Sequence, residues 1–129
     1  MNNYDYRVNL VDDYLKKLNL SNKIKEYYYG RNILVTGGAG AIGSNLVTAL
    51  SKLVGDDGMI IVLDNLSAIK GDEPIDLPPL SNMMFVNGDV RNDIDLKRVF
   101  REKPTIIFHL AAFFANQNSV DYPETSADV

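Results

Sequence analysis

Short apolar runs alternate along this chain with stretches whose apolar positions recur at helical spacing. In residues 8–20, Leu10, Val11, Tyr14, Leu15 and Leu18 fall at steps of one, three and four, predicting an amphipathic helix. Asp12–Lys16 and Asp13–Lys17 are i,i+4 pairs in the favourable orientation, worth about 0.3 kcal/mol each. The helix is expected to bury its stripe on its own domain, with a subunit or partner contact as the alternative. Ser21-Asn22 breaks it, and residues 23–30 read as a basic, tyrosine-rich connector whose Tyr27-Tyr-Tyr29 is expected at the edge of a core. Ile33-Leu-Val35 is then a continuous apolar run, as in a strand buried on both faces. A helical pattern follows at Ile42, Leu46, Val47, Leu50, Leu53 and Val54.

After a turn at Gly55-Asp-Asp-Gly58, residues 59–63 predict a second strand. Residues 65–82 predict a long loop, since Gly71, Pro74, Pro78 and Pro79 exclude a regular helix through most of it. Its far end is expected to be solvent-exposed. Residues 83–86 predict a third strand, Ile94, Leu96, Val99 and Phe100 a helix stopped before Pro104, and residues 105–108 a fourth strand. Strands alternating with helices predict an α/β chain with a parallel sheet.

The junction of the first strand and its helix carries glycines at 37, 38, 40 and 43. A strand, glycine turn and helix in succession form a phosphate-binding context. Gly37 permits a sharp turn, Gly40 leaves room for a pyrophosphate, and Gly43 allows close helix packing. The unpaired N–H groups of the helix N-terminus, at Ala41 and Ile42, then face the anion. A phosphate loop of the nucleoside-triphosphatase kind is excluded because no Gly-Lys-Ser/Thr follows. Asp64 ends the second apolar run, 21 residues beyond Gly43, where a carboxylate can accept from an adenosine ribose. Asn65, Leu66 and Ser67 are then expected along the adenosine. A glycine turn that merely ends a strand, and an Asp64 that merely caps one, are the alternatives.

Several classes of function are removed by composition. Hydrophobic residues at 46% and charged residues at 23% suit a soluble globular chain rather than a disordered one. A net charge of −4 opposes a nucleic-acid or acidic-membrane partner. The chain has no cysteine, hence no disulfide framework or thiolate metal site. No run approaches a membrane span, and the first residues lack a basic region followed by an apolar core, so a cytoplasmic protein is expected. At 129 residues there is room for one domain at most. A complete doubly wound dinucleotide domain has six strands, so four indicate the front part of a longer protein.

Thr36-Gly-Gly-Ala-Gly-Ala-Ile-Gly43 resembles the Thr-Gly-x-x-Gly-x-x-Gly signature of extended short-chain dehydrogenases/reductases. Asp64-Asn-Leu-Ser67, Gly88-Asp-Val-Arg91 and His109-Leu-Ala-Ala112 resemble three further blocks of the NAD-dependent nucleotide-sugar epimerase/dehydratase branch, and Ser119 and Pro123 fit the spacing beyond. The resemblance implies a partial Rossmann-type doubly wound parallel sheet of about four strands with an extra N-terminal helix. Residues 1–30 would be a helical extension and connector, and 31–129 an NAD-binding domain incomplete at its C-terminus. It also implies that Asp89 accepts from the adenine amino group, that Val90 lies beside the ring, and that Leu110, Ala111 and Ala112 let backbone approach the cofactor. The alternative for Asp89 is a cap on the following helix. His109, the only histidine, is assigned a structural role. Phe114 departs from the resemblance, since many such proteins have a lysine there.

The chemistry of that family depends on a Tyr-x-x-x-Lys pair with a Ser or Thr, the lysine lowering the tyrosine pKa. No tyrosine here has a lysine four residues on, and Tyr27 with Arg31 comes nearest, on the wrong side of the first strand. No catalytic residue and no metal ligand is therefore assigned. The expected function is the NAD-binding portion of a nucleotide-sugar epimerase or dehydratase, with the nucleotide sugar as substrate of the full-length parent and a homodimer left open. A non-catalytic NAD- or nucleotide-binding interaction module is the alternative.

Overall fold

The structure, a computed structural model, describes residues 3–67 and 77–111. In chain order its elements are α1 (Asn3–Leu18), α2 (Asn22–Tyr28), β1 (Asn32–Thr36), α3 (Ala41–Val54), β2 (Met59–Asp64), β3 (Met83–Asn87), α4 (Asp93–Phe100) and β4 (Ile106–His109). The four strands form one parallel sheet in the order β3-β2-β1-β4. From β1 the chain steps outward to β2 and β3, then crosses back to lay β4 on the other side of β1. That reversal opens a crevice beyond the C-terminal ends of β1 and β4, the place where doubly wound sheets bind ligands.

The continuous apolar runs arise because both faces of the sheet are covered. Ile33, Val35, Ile60 and Val62 pack with Val47, Leu50 and Val54 of α3 on one face. Leu34, Ile61, Leu63 and Val86 pack with Val99 of α4 on the other. Each alternate residue of a strand thus serves the opposite core, and each such side chain contributes about 1.5–3 kcal/mol of burial. The C-terminal carbonyls of α3 are satisfied from outside the helix: the Asn82 amide donates to the Ser51 carbonyl at 2.8 Å and to that of Gly55 at 2.9 Å.

Three expectations from the pattern are corrected. Residues 23–30 are not simply a connector, because Ser21, the expected breaker, is the N-cap of α2 and accepts from the Ile24 N–H at 3.4 Å. Of the three tyrosines only Tyr28 packs on the core; Tyr27 and Tyr29 are exposed, and Tyr29 donates to Asp57 at 2.6 Å. The end of the long loop is exposed only in part: Pro79 and Ser81 are exposed, but Leu77 and Pro78 are buried, Leu77 completing the α3-side core. Residues 68–76 of that loop lie outside the described residues.

The stripe of α1 divides. The helix lies against α3, held by the Arg7 guanidinium, which donates to Ser44 Oγ at 3.0 Å and Asn45 Oδ1 at 3.1 Å. Val8, Val11 and Leu15 are half-buried. Leu10, Tyr14 and Leu18 are instead exposed, so the predicted stripe does not bury as a whole on this domain. Ile42 and Ile94 also leave the predicted pattern, being 79% and 77% exposed. Each sits in the first turn of its helix, in α3 and α4 respectively.

Candidate functional site

The glycine turn is shaped by two close approaches. Gly37 adopts φ +74°, and a Cβ there would meet the backbone nitrogen of Ala111 at 2.8 Å, so the chain leaving β4 passes directly over it. A Cβ on Gly43 would collide with the Gly37 carbonyl oxygen and lie 2.7 Å from Gly38 Cα. Gly43 therefore lets the first turn of α3 pack on the turn itself. Gly38, without an assigned role in the sequence reading, is equally constrained: its Cβ would lie 2.7 Å from Val62 Cγ1. Gly40 differs from all three. Among the described residues, an added Cβ there would meet within 4 Å only the Gly37 carbonyl oxygen, at 3.7 Å, so space opens above it.

Gly40 is the N-cap of α3 and supplies no side-chain cap. The N–H groups of Ala41 and Ile42 are thus left at the positive end of a 14-residue helix. Beside them stands Asp64, at the end of β2. One carboxylate oxygen accepts from the Ala39 N–H at 2.9 Å and the other from the Leu66 N–H at 2.7 Å. Each oxygen keeps a lone pair for a further donor. Leu66, held by this bond, adopts φ +62°, a left-handed conformation disfavoured for a side chain of its kind. The Asn65 side chain in turn accepts from the Ser67 N–H at 3.0 Å.

Asp89 lies beyond β3 and is joined to this turn, since the Asn65 amide donates to its Oδ2 at 3.1 Å. Arg91 grips the same carboxylate through Nε at 3.0 Å and Nη2 at 2.8 Å, and its backbone N–H donates at 2.9 Å. The Arg91 guanidinium holds the Asp89 carboxyl well below the usual carboxylate range against the opposing effect of burial, with the Arg91 N–H and Asn65 adding to it. All four lone-pair sites of Asp89 are engaged, so a further donor such as an adenine amino group must displace one bond. The capping alternative for Asp89 is removed: Asn92 caps α4, accepting from Ile94 and Asp95 N–H at 2.9 and 3.1 Å. Asp89 N–H itself donates to Asp95 at 2.9 Å. Val90 is half-buried against the α4-side core.

At the crevice, Thr36 of β1 ties down the end of β4. Its hydroxyl and His109 Nδ1 lie 2.6 Å apart, and its Oγ1 accepts from the Ala111 N–H at 3.3 Å. The Thr36 carbonyl accepts from the Leu110 N–H at 2.9 Å. His109 therefore has a structural partner, and Leu110 and Ala111 are placed beside the glycine turn. Ala112, Phe114, Ser119 and Pro123 lie outside the described residues. At the opposite end of β1, Arg31 stacks on the Tyr27 ring at 4.3 Å, a cation–π pair remote from the crevice. Among the described residues no group of His, Cys, Asp or Glu could hold a metal ion, and no helix is long and apolar enough to cross a membrane.

Among the described residues, an uncrowded Gly40, two helix N-terminal N–H groups without a partner in the helix and a carboxylate with spare lone pairs fit a dinucleotide, and similarity to known proteins agrees. The chain is 43% identical over 94 residues to CDP-paratose 2-epimerase of Salmonella typhi, covering 70% of this chain and 27% of that protein. It is 39% identical over 97 residues to UDP-glucose 4-epimerase of Mycolicibacterium smegmatis, covering 74% and 30%. Among solved structures, epimerase Mth375 of Methanothermobacter thermautotrophicus superposes with a TM-score of 0.70 at 48% identity, over 81% of this chain and 29% of that one. The Bordetella bronchiseptica enzyme WbmF, solved in complex with NAD+, gives 0.65 at 31% identity over 79% and 29%. The chain thus spans less than a third of the length of these relatives. Residues 33–129 match the model of one family, and the chain belongs to it, the NAD dependent epimerase/dehydratase family.

Proposed function

We propose that residues 31–129 bind NAD on behalf of a longer, cytoplasmic nucleotide-sugar epimerase or dehydratase, and that residues 1–30 form a helical extension to that domain. The observation that carries this reading is Asp64, whose carboxylate accepts from the Ala39 N–H in the glycine turn that also contains the uncrowded Gly40. Gly37, Gly40 and Gly43 shape a cradle in which the Ala41 and Ile42 N–H groups hold the pyrophosphate. Asp64 accepts from the adenosine ribose, with Asn65, Leu66 and Ser67 alongside. Asp89 takes the adenine amino group after yielding one of its present bonds, and Val90 flanks the ring. Leu110, Ala111 and Ala112 border the remaining half of the dinucleotide.

Bound NAD supplies a reversible hydride acceptor, and this chain's residues orient it rather than react. The substrate of the parent is a nucleotide sugar, a reading supported by the CDP- and UDP-linked names of the relatives and by the WbmF complex with NAD+ and UDP. Calorimetric titration of the chain with NAD tests the proposal. Saturable binding is expected, and a folded chain that binds no NAD overturns it.

A further inference from the structure

The helix proposed to receive the pyrophosphate, α3, differs in charge from α4 at its N-terminus. The first turn of α4 carries Asp93 and Asp95 after its Asn92 cap, and these complement the positive end of the helix. The first turn of α3 has no acidic residue, and its Gly40 cap brings no side chain. A cation is set against it instead. The Arg7 guanidinium, arriving from α1, donates to Ser44 Oγ at 3.0 Å and to Asn45 Oδ1 at 3.1 Å. A positive charge beside a helix N-terminus opposes the macrodipole. Arg7 therefore stands where a bound anion would turn its charge to advantage.

The two acceptors of Arg7 converge on one peptide group. Ser44 Oγ donates in turn to the Ala41 carbonyl at 3.2 Å, and Asn45 Nδ2 donates to the same oxygen at 3.4 Å. That carbonyl shares its peptide unit with the Ile42 N–H, and resonance couples the two ends of a peptide. Donors on the oxygen draw electron density from the nitrogen and make its N–H a stronger donor, as in any chain of hydrogen bonds that polarise one another. The Ile42 N–H is one of the two groups assigned to the pyrophosphate. Much of the relay lies out of water, since Ser44 is fully buried and Arg7 half-buried, and a lower effective dielectric strengthens it.

We infer that Arg7 is a positioning residue for NAD, acting through Ser44 and Asn45 to strengthen the Ile42 N–H and to hold a cation two hydrogen bonds from that peptide group. The inference rests on the NAD reading above and adds to it a contribution from outside the matched family residues, which begin at 33. It gives α1 a task beyond covering α3. The coupling is reciprocal by linkage: a helix that tightens NAD binding is itself held down by NAD to the same degree.

Calorimetric titration of the whole chain with NAD tests this on Arg7→Lys, Arg7→Gln and Arg7→Glu. Among the described residues no α1 side chain enters either core of the sheet, so all three variants should fold. Arg7→Gln should bind NAD about three- to tenfold more weakly than wild type. Arg7→Glu should be weaker still, and Arg7→Lys should stay within about twofold of wild type. A brace that only fastened α1 to α3 would treat lysine and glutamine alike, since each ends in one nitrogen donor group and only charge separates them. Hydrogen exchange in α1 should slow when NAD saturates the wild type, and slow less in Arg7→Gln. A wild type that binds no NAD overturns the NAD reading and this inference with it. A wild type that binds NAD no better than Arg7→Gln overturns the inference alone, as does an Arg7→Lys that falls as far as Arg7→Gln. So does an α1 whose exchange is indifferent to bound NAD.

Discussion

The Asp64 carboxylate accepts from the Ala39 backbone N–H at 2.9 Å, bonding the end of β2 to the middle of the glycine turn. On the proposed reading, the side chain that accepts from the ribose therefore also fixes the loop that would receive the pyrophosphate. Its second oxygen holds Leu66 in a left-handed conformation. A structural role leaves room for the proposed cofactor role on one residue because a carboxylate has more acceptor sites than these two bonds use.

On that reading Asp64 also sets a cofactor preference that can be tested. NADP would bring a phosphate to the ribose hydroxyl beside Asp64, and at ~4 Å and an effective dielectric near 20 each pair of unit charges repels by ~4 kcal/mol before screening. An arginine often relieves such a clash, but residues 65–69 are Asn-Leu-Ser-Ala-Ile, and Lys70 is the first cation to follow. NAD should bind more tightly than NADP, and Asp64→Ala should reduce that preference. The same change should destabilise the fold by about 1–3 kcal/mol through the two N–H groups it leaves. Calorimetry with both cofactors, and urea denaturation, separate the two effects. Equal NADP affinity in the unmutated protein counts against the ribose role.

The glycines of the turn should respond differently to substitution. Gly40 has φ −76° and ψ 179°, which any residue can adopt, and open space where a side chain would go. Gly40→Val should keep the melting temperature and abolish NAD binding. Gly43→Ala drives a methyl onto the Gly37 carbonyl, an overpacking of about 1–3 kcal/mol, and should lower the melting temperature. If Gly40→Val retains wild-type affinity, the turn does no more than connect β1 to α3.

Much of this was legible because the informative signals are local. Strands β1 and β2 announce themselves as unbroken apolar runs, and the glycine turn lies between a strand and its helix within a dozen residues. Helix α2 was hidden because Ser21 is followed three residues later by Ile24 rather than Glu, so its capping role looked like a break. The burial of Leu77 and Pro78 was hidden because prolines signal loop without saying what the loop covers. The bonds that shape the site remained invisible wherever they join distant segments, as Thr36 with His109 and Ser44 with Arg7 do. Arg91 was within reach of inference, standing two residues after Asp89, but no spacing rule says that both carboxylate oxygens are taken.

Arg7 is a polar anchor between α1 and α3. Arg7→Ala removes the bonds to Ser44 and Asn45, at about 0.5–1.5 kcal/mol each. Ser44 keeps its bond to the Ala41 carbonyl at 3.2 Å, so the first turn of α3 should persist while α1 loosens. Hydrogen exchange should accelerate in α1 and remain slow in β1 and β2. Equal protection of α1 in the variant would show that Val8, Val11 and Leu15 hold the helix unaided.

Acid should act on the Arg91–Asp89 pair in a definite direction. Because Arg91 lowers the Asp89 pKa in the folded state, the ionised carboxylate favours folding. That contribution is fully present above the ordinary aspartate value of ~3.9 and is lost as the pH falls toward the lower, folded-state value. The Arg91 side chain is 38% exposed, which limits the pair to about 1 kcal/mol or less. Arg91→Ala should therefore be less stable than wild type at neutral pH, and the gap should close below about pH 4. The same variant frees acceptor sites on Asp89, so NAD affinity should hold or rise if the adenine amino group competes with Arg91 for them. Urea denaturation of both proteins from neutral to acid pH, beside NAD titrations, measures the two consequences. A stability gap that persists unchanged into acid would mean that Arg91 acts by packing rather than through the carboxylate charge.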